Sequence, residues 1–229
     1  MKRAIIVFVA AMLAVSMPVF SEGKGSMVAL AKENSGKTIA VVSLSANKWG
    51  NGLKGWDEAN ATDLMSTNLN KMLAIIEANL ASEWKVVKVE TFIDKEDFQA
   101  LAGDIGEVGV PTLKGKKLPL FGKDRKQLIK ATIAPETAKK IAAITGTDYV
   151  VICYSEWSVA VGRMVPTCKA LTKSVMSVYA KDGAQVFTAR SDKMGTRTLG
   201  AMNRVTVSEN TIDQWVMAYL DGLTEILSK

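Results

Sequence analysis

One stretch limits what this chain can fold into more than any other: Pro135 to Trp157. It predicts a short helix over Pro135–Thr145, a stop at Gly146 and a strand over Asp148–Trp157. Pro135 suits a first helical turn, where its missing N–H is not needed. Ala138, Ile141 and Ile144 share a face, and Gly146 stands where helices commonly end in a left-handed residue. The run Tyr149-Val150-Val151-Ile152-Cys153-Tyr154 is apolar without alternation. A strand of that kind is covered on both faces, as in the middle of an α/β sheet.

The rest of the chain supplies neighbours for that strand. Thr38–Leu44 reads as a first buried strand. A helix over Thr62–Ser82 follows, with Met65, Leu69, Met72, Leu73, Ile76 and Leu80 on one face. Lys85–Thr91 is a valine-rich second strand, and Asp94 is placed to cap a short helix over Lys95–Ala102. Ala170–Ala180 and Ala184–Ser191 form a hairpin through Asp182-Gly183, because Asp-Gly favours positive φ. Asp192–Arg204 reads as a flexible connection. Thr206 or Ser208 then caps a last helix, Glu209 completing a capping box, with Ile212, Val216, Tyr219, Leu220, Leu223 and Leu227 on its apolar face. No internal repeat and no clean linker divide the chain. The expected fold is therefore α/β: one domain over residues 38–229, a mixed sheet of about five strands with helices packed on it.

The N-terminus reads as a targeting segment. Lys2 and Arg3 precede a continuous apolar stretch, Ala4–Val15, and a short polar end, Ser16–Ser21. This is the pattern of a secretory signal peptide over residues 1–21, too short to span a bilayer. There is no twin arginine, and no cysteine near the cut to carry a lipid. The expectation is a periplasmic or secreted protein without a lipid anchor. Residues 22–37, small, polar and charged, read as a flexible arm. Losing Lys2 and Arg3 takes the formal charge from +6 to +4. That modest positive balance points to anionic envelope partners, either lipid headgroups or wall polymers, and nucleic acid is not expected as a partner.

Chemistry is hard to place on this chain. It contains no histidine, which excludes Ser-His-Asp and Cys-His catalysis and imidazole-bound zinc. The acids are scattered, and no pair of them forms a recognisable catalytic dyad. Cys153 and Cys168 are the only cysteines and lack Cys-x-x-Cys spacing. Export permits a disulfide between them, worth roughly 3 kcal/mol for a loop of about fifteen residues. A tight hairpin turning near Met164 would instead set Cys168 opposite Ala160 and leave two buried thiols, so both readings stand. Gly50-Asn51-Gly52-Leu53-Lys54-Gly55 matches G-x-G-x-x-G, but the glycines do not open the following helix and no acid ends a second strand at the required distance. No cofactor, no metal and no catalytic residue is expected.

Two loops are candidate contact surfaces. Residues 103–131 form a Gly/Pro-rich loop carrying Lys114, Lys116, Lys117, Lys123, Arg125, Lys126 and Lys130 against the single acid Asp124 within 114–130. A solvated face is the ordinary account of such a run; a docking surface for an anionic partner is the functional one. The loop after the first strand holds Trp49 and Trp56 beside Asn51 and Asp57. Ligands of open α/β sheets sit at the carboxyl ends of strands, and indoles beside polar groups can stack on sugars or peptides. The same indoles could equally close the top of the core.

The segment Ala138-Lys-Lys-Ile-Ala-Ala-Ile-Thr-Gly-Thr-Asp-Tyr-Val-Val-Ile152 resembles a recurring segment of bacterial envelope proteins: the TolB N-terminal domain, the peptidoglycan-synthase activator LpoB and the curli secretion protein CsgG. The hairpin Val175-Met-Ser-Val-Tyr-Ala-Lys-Asp-Gly183 with Val186-Phe-Thr resembles theirs, as does Thr38-Ile-Ala-Val-Val42 followed by the Met65–Leu80 helix. The chain departs from that group in having no lipobox cysteine and in the 103–131 segment. The resemblance carries over no catalytic residue. It implies a non-enzymatic periplasmic accessory or adaptor protein of cell-envelope assembly, whose partners are envelope proteins. The alternative reading is a periplasmic protein that binds a sugar, peptide or anion through the Trp49–Asp57 loop.

Overall fold

The computed structural model describes residues 25–47, 58–102, 108–109, 112–113, 116–121, 124–201, 204–205 and 208–229. Four long strands carry its sheet: β1 (Thr38–Asn47), β6 (Tyr149–Val161), β7 (Thr167–Ala180) and β8 (Gln185–Met194). β1 runs parallel to β6, while β6, β7 and β8 form an antiparallel meander. Short strands complete the edges. β2 (Lys85–Val86) and β3 (Val108–Gly109) lie along the outer edge of β1, one at each end. β9 (Gly200–Ala201) continues the line of β8 along β7 and pairs with β10 (Arg204–Val205). A separate pair joins β4 (Thr112–Leu113) to β5 (Lys116–Lys117). The protein is thus a single α/β domain with a mixed sheet.

Helices cover both faces. They are α1 (Met27–Glu33), α2 (Glu58–Leu80), α3 (Glu96–Gln99), α4 (Arg125–Leu128), α5 (Pro135–Thr145) and α6 (Asp213–Leu227). Side chains alternate along a strand, so each layer can be assigned. Ser155 and Trp157 share a face with their partners Ser174 and Thr172. That face meets α6: the Trp157 and Tyr219 rings lie edge-on at 6.1 Å, and a Cβ on Gly222 would stand 3.2 Å from the Ser174 hydroxyl. α2 packs on β1 and α6, and α1 on α6. Tyr179 points to the opposite face, where its hydroxyl meets the chain entering α5. α5 lies on β6 and β7 with α3 beside it. The non-alternating run is buried from Val150 to Ser155, and β1 from Ile39 to Ala46, as a doubly covered sheet interior requires.

Several expectations need correction. The segment read as a flexible arm holds α1, capped by Ser26, whose hydroxyl accepts from the Ala29 N–H and donates to the Lys229 carbonyl. Met27 and Ala31 of α1 are buried. The second strand shrinks to two residues, because Val89–Thr91 turns into a 3₁₀ segment whose Val89 N–H is taken by the buried Glu77 carboxylate. α3 is shorter than predicted; its N-cap residue is Lys95 rather than Asp94, Lys95 makes no side-chain cap, and the Phe98 N–H is taken by Asp97 Oδ1 instead. The final helix begins at Asp213, without a side-chain cap, after a turn in which Ser208 and Thr211 bond each other. Part of the expected Asp192–Arg204 connection is strand, since β8 runs to Met194 and β9 and β10 follow. Cys153 and Cys168 are free and buried. Register explains why: Cys153 lies opposite Met176, and Cys168 opposite Val161 rather than Ala160. At ~3.4 Å per residue the two thiols stand roughly 27 Å apart along the sheet, far beyond disulfide reach.

Candidate docking surfaces

The Asp148-Tyr149 pair, prominent in the sequence, is a structural clasp. α5 ends at Gly146 with φ of 70°, and the chain turns into β6. The Asp148 Oδ2 accepts from the Thr38 N–H (3.2 Å) and hydroxyl (2.9 Å), and the Asp148 N–H donates back to that hydroxyl (2.9 Å). Lys181, in the β7–β8 turn, donates to Oδ1 at 2.9 Å. The Lys181 ammonium, and then the Thr38 donors, hold the Asp148 carboxyl down at about 2. The Tyr149 hydroxyl donates to Asn34 Oδ1 at 2.7 Å, next to the end of α1. These bonds tie the starts of β1 and β6 to the β7–β8 turn and to α1. A shallow hollow beside the clasp is lined by Thr38, Lys139, Ala142, Gly146, Asp148 and Lys181. Its charges are already committed, Asp148 to Lys181 and Lys139 to Glu136.

The basic segment is anchored rather than loose over its described part. Leu118, Leu120, Phe121, Leu128 and Ile133 are buried. Phe121 stacks edge-on with Phe98 at 5.9 Å, and Phe98 with Phe92 at 4.9 Å. Asp124 opens α4, its carboxylate accepting from the Gln127 N–H at 2.8 Å. The Tyr179 hydroxyl then fastens the exit from α4. It accepts from the Ile133 N–H (3.1 Å) and from Gln185 Nε2 (3.2 Å), and donates to the Ala131 carbonyl (3.4 Å). Burial pushes the Tyr179 phenol above its ordinary range. Between these anchors Lys126 and Lys130 are exposed. Lys116 and Lys117 form β5 and Arg125 opens α4; Lys114 and Lys123 lie outside the described residues.

A second exposed feature was not singled out in the sequence. The β6–β7 hairpin ends in a turn at which Val161, Met164 and Val165 are 45%, 97% and 63% exposed. The proposed ligand loop, Trp49, Asn51, Trp56 and Asp57, lies outside the described residues. What is described is the point where the chain leaves β1 toward it. There the Asn47 side chain accepts from the Trp157 N–H (2.6 Å) and donates to the Trp157 carbonyl (3.2 Å). Among the described residues no helix is long and apolar enough to cross a membrane.

These layers define an α/β sandwich around a mixed sheet. Among solved structures the chain is similar to the LpoB C-terminal domain from Salmonella enterica, with a TM-score of 0.35 and 15% identity over 73% of this chain and 94% of that one. It is similar to PelC, a dodecamer from Paraburkholderia phytofirmans, with a TM-score of 0.35 and 12% identity over 93% and 97%. A lipoprotein from Neisseria meningitidis aligns with a TM-score of 0.37 and 10% identity over 82% and 99%. No protein-family profile and no curated protein matches the chain.

Proposed function

We propose that this protein is an exported, non-enzymatic accessory protein of the bacterial envelope that acts by binding another envelope protein. The observation that carries the reading is the anchored basic segment. Phe121, Leu128 and the Tyr179 hydroxyl hold it on the body while Lys126 and Lys130 stay in solvent. Cations held at fixed positions recognise an acidic surface at lower entropic cost than cations on a free loop. The signal-peptide pattern of residues 1–21 and the sequence resemblance to envelope proteins supply the compartment.

The test is crosslinking in intact cells followed by capture of the tagged protein and mass spectrometry, for wild type and for Lys126→Glu/Lys130→Glu. A reproducible envelope partner, lost in the variant with the melting temperature unchanged, is the expected result. Equal recovery of the partner by the variant would reject this surface.

A further inference from the structure

We propose that the tip of the β6–β7 hairpin is an interfacial anchor that seats this protein on an anionic lipid bilayer. The turn is built rather than slack. The Gly162 N–H donates to the Thr167 carbonyl at 2.9 Å, and the Thr167 N–H to the Val165 carbonyl at 2.7 Å. A Cβ on Gly162 would fall 2.5 Å from the Val165 carbonyl oxygen, so glycine is needed for the chain to close this tightly. The closed turn holds Met164 almost wholly in water, with Val165 and Val161 beside it. An isolated exposed apolar residue needs no explanation, but neighbouring ones fixed at the turn of a hairpin mark a contact site.

Charge identifies the occupant. From Ser158 to Leu171 the sequence carries Arg163 and Lys169 and no acid. Neither forms an ion pair among the described residues. The nearest acids on the sheet, Glu156 and Asp192, both stand opposite Lys173, which leaves the tip itself cationic. Apolar side chains at the apex with cations just behind them suit a headgroup layer: the apex enters the acyl boundary and the cations meet lipid phosphates. The apolar apex spans Val161–Val165, well short of the roughly 9–11 residues per strand needed to cross a bilayer, so the tip lies in the interface. This surface is distinct from Lys126 and Lys130, and the two proposals can fail separately.

The experiment is flotation of the protein, purified as the cell processes it, with vesicles of phosphatidylcholine alone or with 30% phosphatidylglycerol. Wild type is expected to float with the anionic vesicles and to be released by 0.5 M salt. Met164→Asp/Val165→Asp should bind at least ~tenfold more weakly, and Arg163→Gln/Lys169→Gln roughly 10- to 30-fold more weakly, at unchanged melting temperatures. A Met164→Trp variant should shift its emission to the blue and be quenched by brominated acyl chains. Absence of flotation at 1 mM lipid would overturn the proposal. So would flotation that survives Met164→Asp/Val165→Asp but is lost in Lys126→Glu/Lys130→Glu. Self-association in sedimentation velocity that disappears on Met164→Asp would overturn it in favour of a second copy as the occupant.

Discussion

Replacing Asp148 by Asn tests whether the clasp at the start of β6 stabilises the fold. The carboxyl falls from its ordinary value of 3.8 to about 2, first through Lys181 and then through Thr38. At 1.36 kcal/mol per pKa unit that drop corresponds to about 2.4 kcal/mol. Lys181 is 69% exposed and Asp148 23%, so solvent screens the ion pair and its share shrinks to about 0–1 kcal/mol. The two Thr38 donors, part-buried, keep the remainder. The net loss for Asp148→Asn at pH 7 is therefore about 1–2 kcal/mol, or roughly 3–6 °C in Tm for a domain of this size. The folded-state value is lowered, so this stability is fully present above about pH 4 and is lost as the pH falls toward 2. Urea unfolding followed by tryptophan fluorescence at pH 7, 5, 3.5 and 2.5 measures it. The gap between wild type and variant should be widest at pH 7, shrink to roughly a third at pH 2.5 and close only below about pH 2. A gap below about 0.5 kcal/mol at pH 7, or one that persists undiminished at pH 2.5, would refute the reasoning.

Other outcomes follow from the packing. Tyr179→Phe leaves the buried Ile133 N–H without its acceptor; it should cost about 1–3 kcal/mol and speed hydrogen exchange in residues 124–133. Gly222→Val would push new methyl groups into Ser174 and Lys193; despite valine's better helix propensity, denaturation should show a loss of about 1–3 kcal/mol. Cys153 lies in a fully buried site whose desolvation pushes its thiol well above the ordinary range, and Cys168 is buried too. Both should resist thiol reagents at pH 8 until denaturant is added, and electrophoretic mobility should be the same with and without reductant; a reductant-dependent shift would show the assigned register to be wrong.

The parts of the fold visible in the sequence are those whose local pattern and burial agree. The non-alternating run in β6, the one-sided apolar stripe of α2 and the Asp-Gly turn before β8 each carry their own signal, and each forms near the expected place. The misses have partners far along the chain. Val87–Thr91 looks like a strand, but Glu77 captures the Val89 N–H and the backbone turns instead. α1 is two turns long and owes its place to Lys229, which no window around residue 30 contains. The basic segment hid its anchors in plain view, since Leu118, Leu120, Phe121 and Leu128 are interspersed with glycine and lysine and show no period. The Met164-Val165 apex looked like an ordinary turn because exposure is a property of the folded hairpin.

The pairing of β1 with β6 has a consequence for how the molecule is made. It joins residues 110 apart in the chain, as in the bond from Thr38 to Asp148, whereas β6, β7 and β8 join their immediate neighbours. Contacts that distant close late, because loop entropy opposes them until the local meander exists to receive them. At ribosomal rates of ~5–20 residues per second, the strand synthesised first waits roughly 5–20 s before its central partner has been made. During that interval Ile39 to Leu44, a run destined for complete burial, stays open to any other strand it meets. The newborn chain is therefore most prone to aggregate through its N-terminal third, and chaperone occupancy should concentrate there.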